Sequence, residues 1–99
     1  MGRKAIQIPQ GDQPLLTFDV PSGGVTGSTI AFYAKVNEAQ ADGSAIANIA
    51  GVVVNDVQFT VQISSAVTPN AGILFYKVVL TKSSKPVTRQ WGPLEIVDV

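Results

Sequence analysis

The side chains best suited to chemistry are missing or scattered. The sequence holds no histidine and no cysteine, which removes the commonest general base, the commonest metal ligand, the ordinary serine–histidine triad, thiolate metal sites and any disulfide. Seven carboxylates remain: Asp12, Asp19, Glu38, Asp42, Asp56, Glu95 and Asp98. A general acid and base pair needs two of them facing one cleft, yet most fall at turn positions, where carboxylates cap backbone or aid solubility. Asp42 and Asp56 would approach one another only if their loops share an end of the domain, and no spacing resembles a calcium loop. Lys35, Lys77, Lys82 and Lys85 fall on expected strand exteriors or loops, where a lysine stays charged. Gly23-Gly24-Val25-Thr26-Gly27-Ser28 lacks the lysine and the following helix of a phosphate loop, so it reads as a strand connection. The composition predicts a protein that is not an enzyme and has no cofactor and no metal site.

Aromatic side chains offer a different chemistry. Tyr33, Phe75, Tyr76 and Trp91 could build a stacking platform for sugars or bases. Stacking on single-stranded nucleic acid comes with a positive groove, and the candidates for one, Lys35, Lys77 and Arg89, are dispersed in sequence. Two readings compete for Trp91: a core residue, like Tyr76, or a contact residue beside the Gly92-Pro93 interruption.

Charge and length narrow the classes. Seven basic and seven acidic residues give zero net charge over 99 residues, with no polybasic tract to bind nucleic acid. No stretch approaches the ~18 apolar residues of a membrane span. The first residues lack the apolar run of a secretion signal, and the Met1-Gly2 start lacks the later hydroxyl residue of a myristoylation motif. The length fits one domain spanning residues 1–99.

What must position these residues is a set of strands. Val57-Gln58-Phe59-Thr60-Val61-Gln62-Ile63-Ser64 alternates apolar and polar throughout, the period of a half-buried strand. Before it, residues 5–8 give a short strand that ends, or lies at an edge, at Pro9. Residues 15–20 give a second strand with Leu16, Phe18 and Val20 inward. Residues 29–36 give a third with Ile30, Phe32, Ala34 and Val36 inward. Residues 37–48 read as a loop with room for a 3₁₀ turn, and residues 45–50 as a weak strand that continues through Val52-Val53-Val54 after a bulge. After the central strand, residues 65–72 form a turn, residues 72–81 a long strand with Leu74, Tyr76, Val78 and Leu80 inward, and residues 87–97 a closing strand broken at Gly92-Pro93, with Leu94 and Ile96 inward. About seven short strands with turn signals between them predict an all-β, antiparallel two-sheet sandwich, whose core includes Val57, Phe59 and Val61.

One strand breaks the pattern. Opposite its inward residues, Ile73, Phe75 and Val79 make an apolar stripe where an isolated sandwich places polar side chains, as at Gln58, Thr60 and Gln62. Trp91 falls beside the stripe if the last two strands form a hairpin. A contiguous apolar patch marks an interaction surface, so Ile73, Phe75, Val79 and Trp91 form the candidate interface, with a second copy of the chain among the partners it would suit. The competing reading folds residues 37–54 over the stripe and hides it.

The order of these signals resembles a family, the small immunoglobulin-like domain of phage tails and baseplates, also found at the start of upper baseplate proteins of long-tailed phages. Ile8-Pro9-Gln10-Gly11-Asp12 matches its Gly-Asp turn after the first strand, and Leu15-Leu16-Thr17-Phe18-Asp19-Val20 its second strand. Val25-Thr26-Gly27-Ser28-Thr29-Ile30-Ala31-Phe32 matches its passage into the third strand, with Val25 in place of leucine. Pro69-Asn70-Ala71-Gly72-Ile73-Leu74-Phe75-Tyr76-Lys77-Val78 matches its aromatic strand, and Val87-Thr88-Arg89 with Gly92-Pro93-Leu94-Glu95-Ile96-Val97 its closing hairpin. Residues 37–54 show no family signature. The resemblance implies an immunoglobulin-like β-sandwich that is a non-catalytic virion structural protein of a phage or prophage, part of a tail, baseplate or head. Such a protein is made in the host cytoplasm and contacts other virion proteins, not nucleic acid or membrane. The alternative is a carbohydrate- or cell-surface-binding module that uses exposed aromatics.

Overall fold

A computed structural model of the chain describes residues 4–37, 39, 41–64, 67 and 71–98. Glu38 and most of the expected turn at residues 65–72 lie outside the described residues. Among the described residues, eight strands form: β1 (Ile6–Pro9), β2 (Leu15–Asp19), β3 (Thr29–Lys35), β4 (Ala47–Ala50), β5 (Val52–Asn55), β6 (Gln58–Gln62), β7 (Gly72–Lys82) and β8 (Lys85–Val97), with a 3₁₀ turn at Asp42–Ser44. They build a five-stranded sheet in the order β1-β8-β7-β3-β4 and a three-stranded sheet in the order β2-β6-β5. The protein is an all-β, immunoglobulin-like sandwich. The pairings are antiparallel except for β1, which lies parallel to the second half of β8.

The alternation at the centre of the sequence appears as a register. Phe59 and Val61 on β6 and Ile63 just beyond it are fully buried, while Gln62 is exposed. Phe18 pairs with Phe59 across β2 and β6, and their rings stack at 5.0 Å. Phe32 on β3 stacks on Tyr76 of β7 at 5.7 Å. Val20, Val25, Ile30, Val78, Leu80, Leu94 and Ile96 fill the space around these rings. Leu16 and Leu74 are half-buried at the margin of this core. Two expected core residues are not in it. Val57 is exposed because the turn between β5 and β6 takes up residues 56 and 57, and the alternation begins after it. Val36 is exposed because β3 ends at Lys35.

The stretch expected to be one bulged strand is two strands in different sheets. β4 pairs with β3, β5 pairs with β6, and Gly51 alone carries the chain across. Its N–H donates to the Ile30 carbonyl at 3.0 Å. A Cβ there would sit 2.5 Å from Ile30 Cγ2 and 3.1 Å from the Thr60 carbonyl, so the crossing requires the absence of a side chain. The closing strand also differs from expectation: β8 runs unbroken through Gly92-Pro93, and the irregularity in its pairing with β7 falls at Arg89, between the partners of Val78 and Val79.

Gly92 and Pro93 serve the N-terminal strand instead. The register of β1 on β8, extended back from Ile6↔Leu94, sets Lys4 beside Gly92. The Lys4 N–H donates to the Trp91 carbonyl at 2.8 Å. In a parallel ladder the Lys4 carbonyl would then accept from the N–H of residue 93, which proline lacks. The Tyr76 hydroxyl takes that place, donating to the Lys4 carbonyl. Tyr76 stands across from Gly92 on β7, and a Cβ on Gly92 would meet Lys4 backbone at 2.6 Å. Gln90 Nε2 in turn donates to the Tyr76 oxygen at 2.7 Å, giving a partner to the amide of this buried residue.

Two outcomes follow. Gly51→Ala forces either Ile30 or the strand crossing to move and is expected to destabilise the fold by about 1–3 kcal/mol, read as a lower urea midpoint. Tyr76→Phe leaves the Lys4 carbonyl and the Gln90 amide short of a partner, at a cost of about 1–3 kcal/mol. Hydrogen exchange should show the β1 amides losing protection before those of β6.

Candidate functional site: the outer face of the five-stranded sheet

Side chains directly opposite one another in neighbouring strands share a face, so the registers lay out the outer surface in rows. One row holds Pro93, Phe75 and Lys35; the next holds Trp91, Lys77, Tyr33 and Asn48; a third holds Thr88, Val79, Ala31 and Ala50; and Gln7, Glu95 and Ile73 form a row on the far side of Phe75. Ile73, Phe75, Val79 and Trp91 therefore do occupy one face, with Lys77 placed among them by the same alternation. Their exposure differs: Ile73 is 61% and Trp91 38% exposed, and Phe75 is half-buried. Val79 is only 8% exposed and offers no contact surface, a correction to its place in the expected interface. Trp91 is not a core residue, whereas Tyr76 is. The aromatic group on this face is thus Tyr33, Phe75 and Trp91, without Tyr76.

The charged centre of the face was not legible in the sequence. Lys35, expected to stand in solvent, is 5% exposed. Its ammonium donates to Asp42 Oδ1 at 2.6 Å, and Lys77 Nζ reaches Asp42 Oδ2 at 3.1 Å. The segment after β3 folds back, and the 3₁₀ turn that begins at Asp42 presents its carboxylate to two lysines on adjacent strands. Residues 37–54 therefore reach the outer face at this point without hiding Ile73 or Trp91. The Lys35 hydrogen bond is the main reason the Asp42 carboxyl sits below the usual carboxylate range; burial opposes it, and the hydrogen bond and charge of Lys77 add to it.

Asp56, the other carboxylate singled out by its loop, lies at the opposite end of β3. Its oxygen accepts from the Thr26 N–H at 3.3 Å, and the Val25 N–H donates to its backbone carbonyl. Hydrogen bonds from the Gly24 backbone first and the Thr26 backbone second lower its pKa. A Cβ on Gly23, which has φ of +76°, would meet Asp56 Oδ2 at 2.8 Å. The glycine-rich stretch is the β2–β3 connection, closed by this aspartate, and the two carboxylates do not form one site. No group of three or more carboxylate, histidine or cysteine side chains able to hold a metal occurs among the described residues.

A shallow depression of about 150 Å³ lies on this face, lined by Lys35, Phe75, Tyr76, Lys77, Thr88 and Trp91. It is smaller than the roughly 300–1,000 Å³ of clefts that enclose small ligands. Arg89, at the bulge beside it, has its Nε buried with no hydrogen-bond partner among the described residues. The arrangement offers an apolar and aromatic surface around a fixed lysine–aspartate–lysine cluster, a form suited to contact with another molecule's surface. No known protein-family profile matches the chain, and no curated protein matches it.

The Asp42 cluster has a defined pH dependence. A carboxyl whose folded pKa lies below its unfolded value of 3.8 stabilises the fold fully above that value, and the contribution is lost as pH falls through the folded pKa. Asp42→Asn is expected to cost about 1–2 kcal/mol at pH 7, less than for an enclosed pair because the carboxylate is partly exposed. Urea unfolding at a series of pH values should show the wild-type and variant curves converging below pH 3.8 and remaining parallel above it.

Proposed function

We propose that this protein is a non-catalytic docking domain that uses the outer face of its five-stranded sheet to bind other proteins, and that those partners are structural proteins of a phage or prophage virion. The observation that carries the docking reading is the exposure of Ile73 and Trp91 around half-buried Phe75 on a face where no second layer of the described residues lies over them. Covering the three would remove about 200 Å² of apolar surface, a transfer term of about 5 kcal/mol before the cost of association. That suits a contact reinforced by many neighbours in an assembly. The lysine–aspartate–lysine cluster at its centre orients polar groups of the partner more than it adds affinity. What supports the virion reading is the order of motifs, from the Gly11-Asp12 turn to the closing Gly92-Pro93 strand, on an immunoglobulin-like sandwich. In this reading the protein is made in the host cytoplasm and resides in the virion.

The depression beside Trp91 favours one other reading, a carbohydrate-binding module. Tagged protein incubated with purified phage tail, baseplate and head proteins, and in parallel with a glycan array, separates the two. Docking predicts capture of a virion protein that Ile73→Asp or Phe75→Ser weakens at least tenfold with the fold intact by circular dichroism. Specific glycan binding abolished by Trp91→Ala, with no protein captured, would replace the docking reading by the carbohydrate one.

A further inference from the structure

The two side walls of the sandwich are built from opposite materials. One wall is formed by the free edges of β1 and β2, the terminal strands of the two sheets on that side. β1 follows Lys4 and ends at Pro9; β2 is flanked by Pro14 and Pro21, and it ends on Asp19. Prolines and charges are the usual means by which an edge strand avoids pairing with another chain. The other wall is formed by β4 and β5, the terminal strands at the opposite side of each sheet, joined by Gly51 alone. From Gly43 to Asn55 the chain contains no charged residue and no proline. Val52 is 64% and Val54 53% exposed, and Ile46 is exposed as well. A bulge at Val54 interrupts β5, whereas β4 pairs with β3 in unbroken register. The unprotected run without a bulge is therefore the stretch from Ala47 to Val53, which passes from one sheet to the other at Gly51.

The geometry points to this edge as a self-pairing surface: the 47–53 stretch of one copy adds, antiparallel, to the same stretch of a second copy, forming a two-fold dimer. An edge strand presents unpaired N–H and C=O groups along its free side, which an extended strand satisfies. An uncharged stretch meets its own copy without repulsion, and a chain of zero net charge adds none at long range. A two-fold axis makes one patch serve both partners. At ~3.3 Å per residue the stretch from Ala47 to Val53 spans about 23 Å, within the 38 Å length of the body. This edge is distinct from the outer face, and its occupation leaves Ile73 and Trp91 free.

The absence of cysteine from the chain makes a direct test possible. Single cysteines at Asn48, Ala50, Val52 and Val54, all exposed, are oxidised at equal protein concentration beside controls at Leu15 and Thr17 on the β2 edge. Self-pairing predicts a disulfide-linked dimer at one or more of the four edge positions, formed at least tenfold faster than at either control. In sedimentation, the Val52→Lys and Val54→Lys double variant should weaken dimerisation at least tenfold with an unchanged circular dichroism spectrum, whereas Phe75→Ser should leave it intact. Equal cross-linking at the control positions, a chain that stays monomeric across the concentration series, or dimerisation lost on Phe75→Ser but not on the lysine substitutions would each overturn the assignment.

Discussion

Tyr76 joins the core, the closing hairpin and the N-terminal strand in one side chain. Its ring is buried against Phe32, and its hydroxyl carries the Lys4 carbonyl that Pro93 cannot serve. The hydroxyl is itself held by the buried Gln90 amide. Burial raises the Tyr76 pKa, with the Gln90 hydrogen bond opposing it, so the phenol stays protonated and remains a donor. Glycine at position 92 is the condition for all of this, because a side chain there would occupy the place of the Lys4 backbone. An immunoglobulin-like sandwich without a disulfide between its sheets must hold its strands by packing and hydrogen bonds alone. Here the Phe18–Phe59 and Phe32–Tyr76 stacks supply the packing at the centre of each sheet, and the Tyr76 hydroxyl fastens the outermost strand to it.

The same architecture leaves two kinds of surface uncovered. A five-stranded sheet has one face turned to the core and one turned away, and the three-stranded partner sheet covers only the first. The outer face is therefore polar by default, and the departures from polarity are informative. Ile73, Phe75 and Trp91 are apolar around a cluster in which one carboxylate holds two lysines. Val79 belongs to the same face but is shielded, so the accessible patch is displaced toward Ile73 and Trp91. The side walls expose backbone instead. Their composition differs from one side to the other, with charge and proline at β1 and β2 and neither at β4 and β5.

These surfaces set limits on what the domain can do. Two of the carboxylates that the fold places are engaged in structure. Asp42 neutralises a buried lysine, and Asp56 closes a loop at the other end of β3. The shallow depression beside Trp91 is smaller than the clefts that enclose drug-sized ligands.

Much of the fold was determined by the sequence alone. Strict alternation over residues 58–63 dictated a half-buried strand, because only a period of two puts Phe59, Val61 and Ile63 on one side. The prolines and glycines marked where the chain turns, and the parity of β7 was enough to put Ile73, Phe75, Val79 and Lys77 on one face. Tertiary structure decided what parity cannot express. Gly51 looked like a bulge because a local pattern does not say which sheet a strand joins; the close approach to Ile30 does. Gly92-Pro93 looked like a break because the partner that needs a side-chain-free position, Lys4, lies far away in sequence. Lys35 looked solvated because its outward parity was clear, while the carboxylate that draws it down comes from a turn whose return path no periodicity records. The exposure of each stripe residue was set the same way: burial depends on which segments fold over a face, and that is a property of long-range packing, not of spacing along one strand.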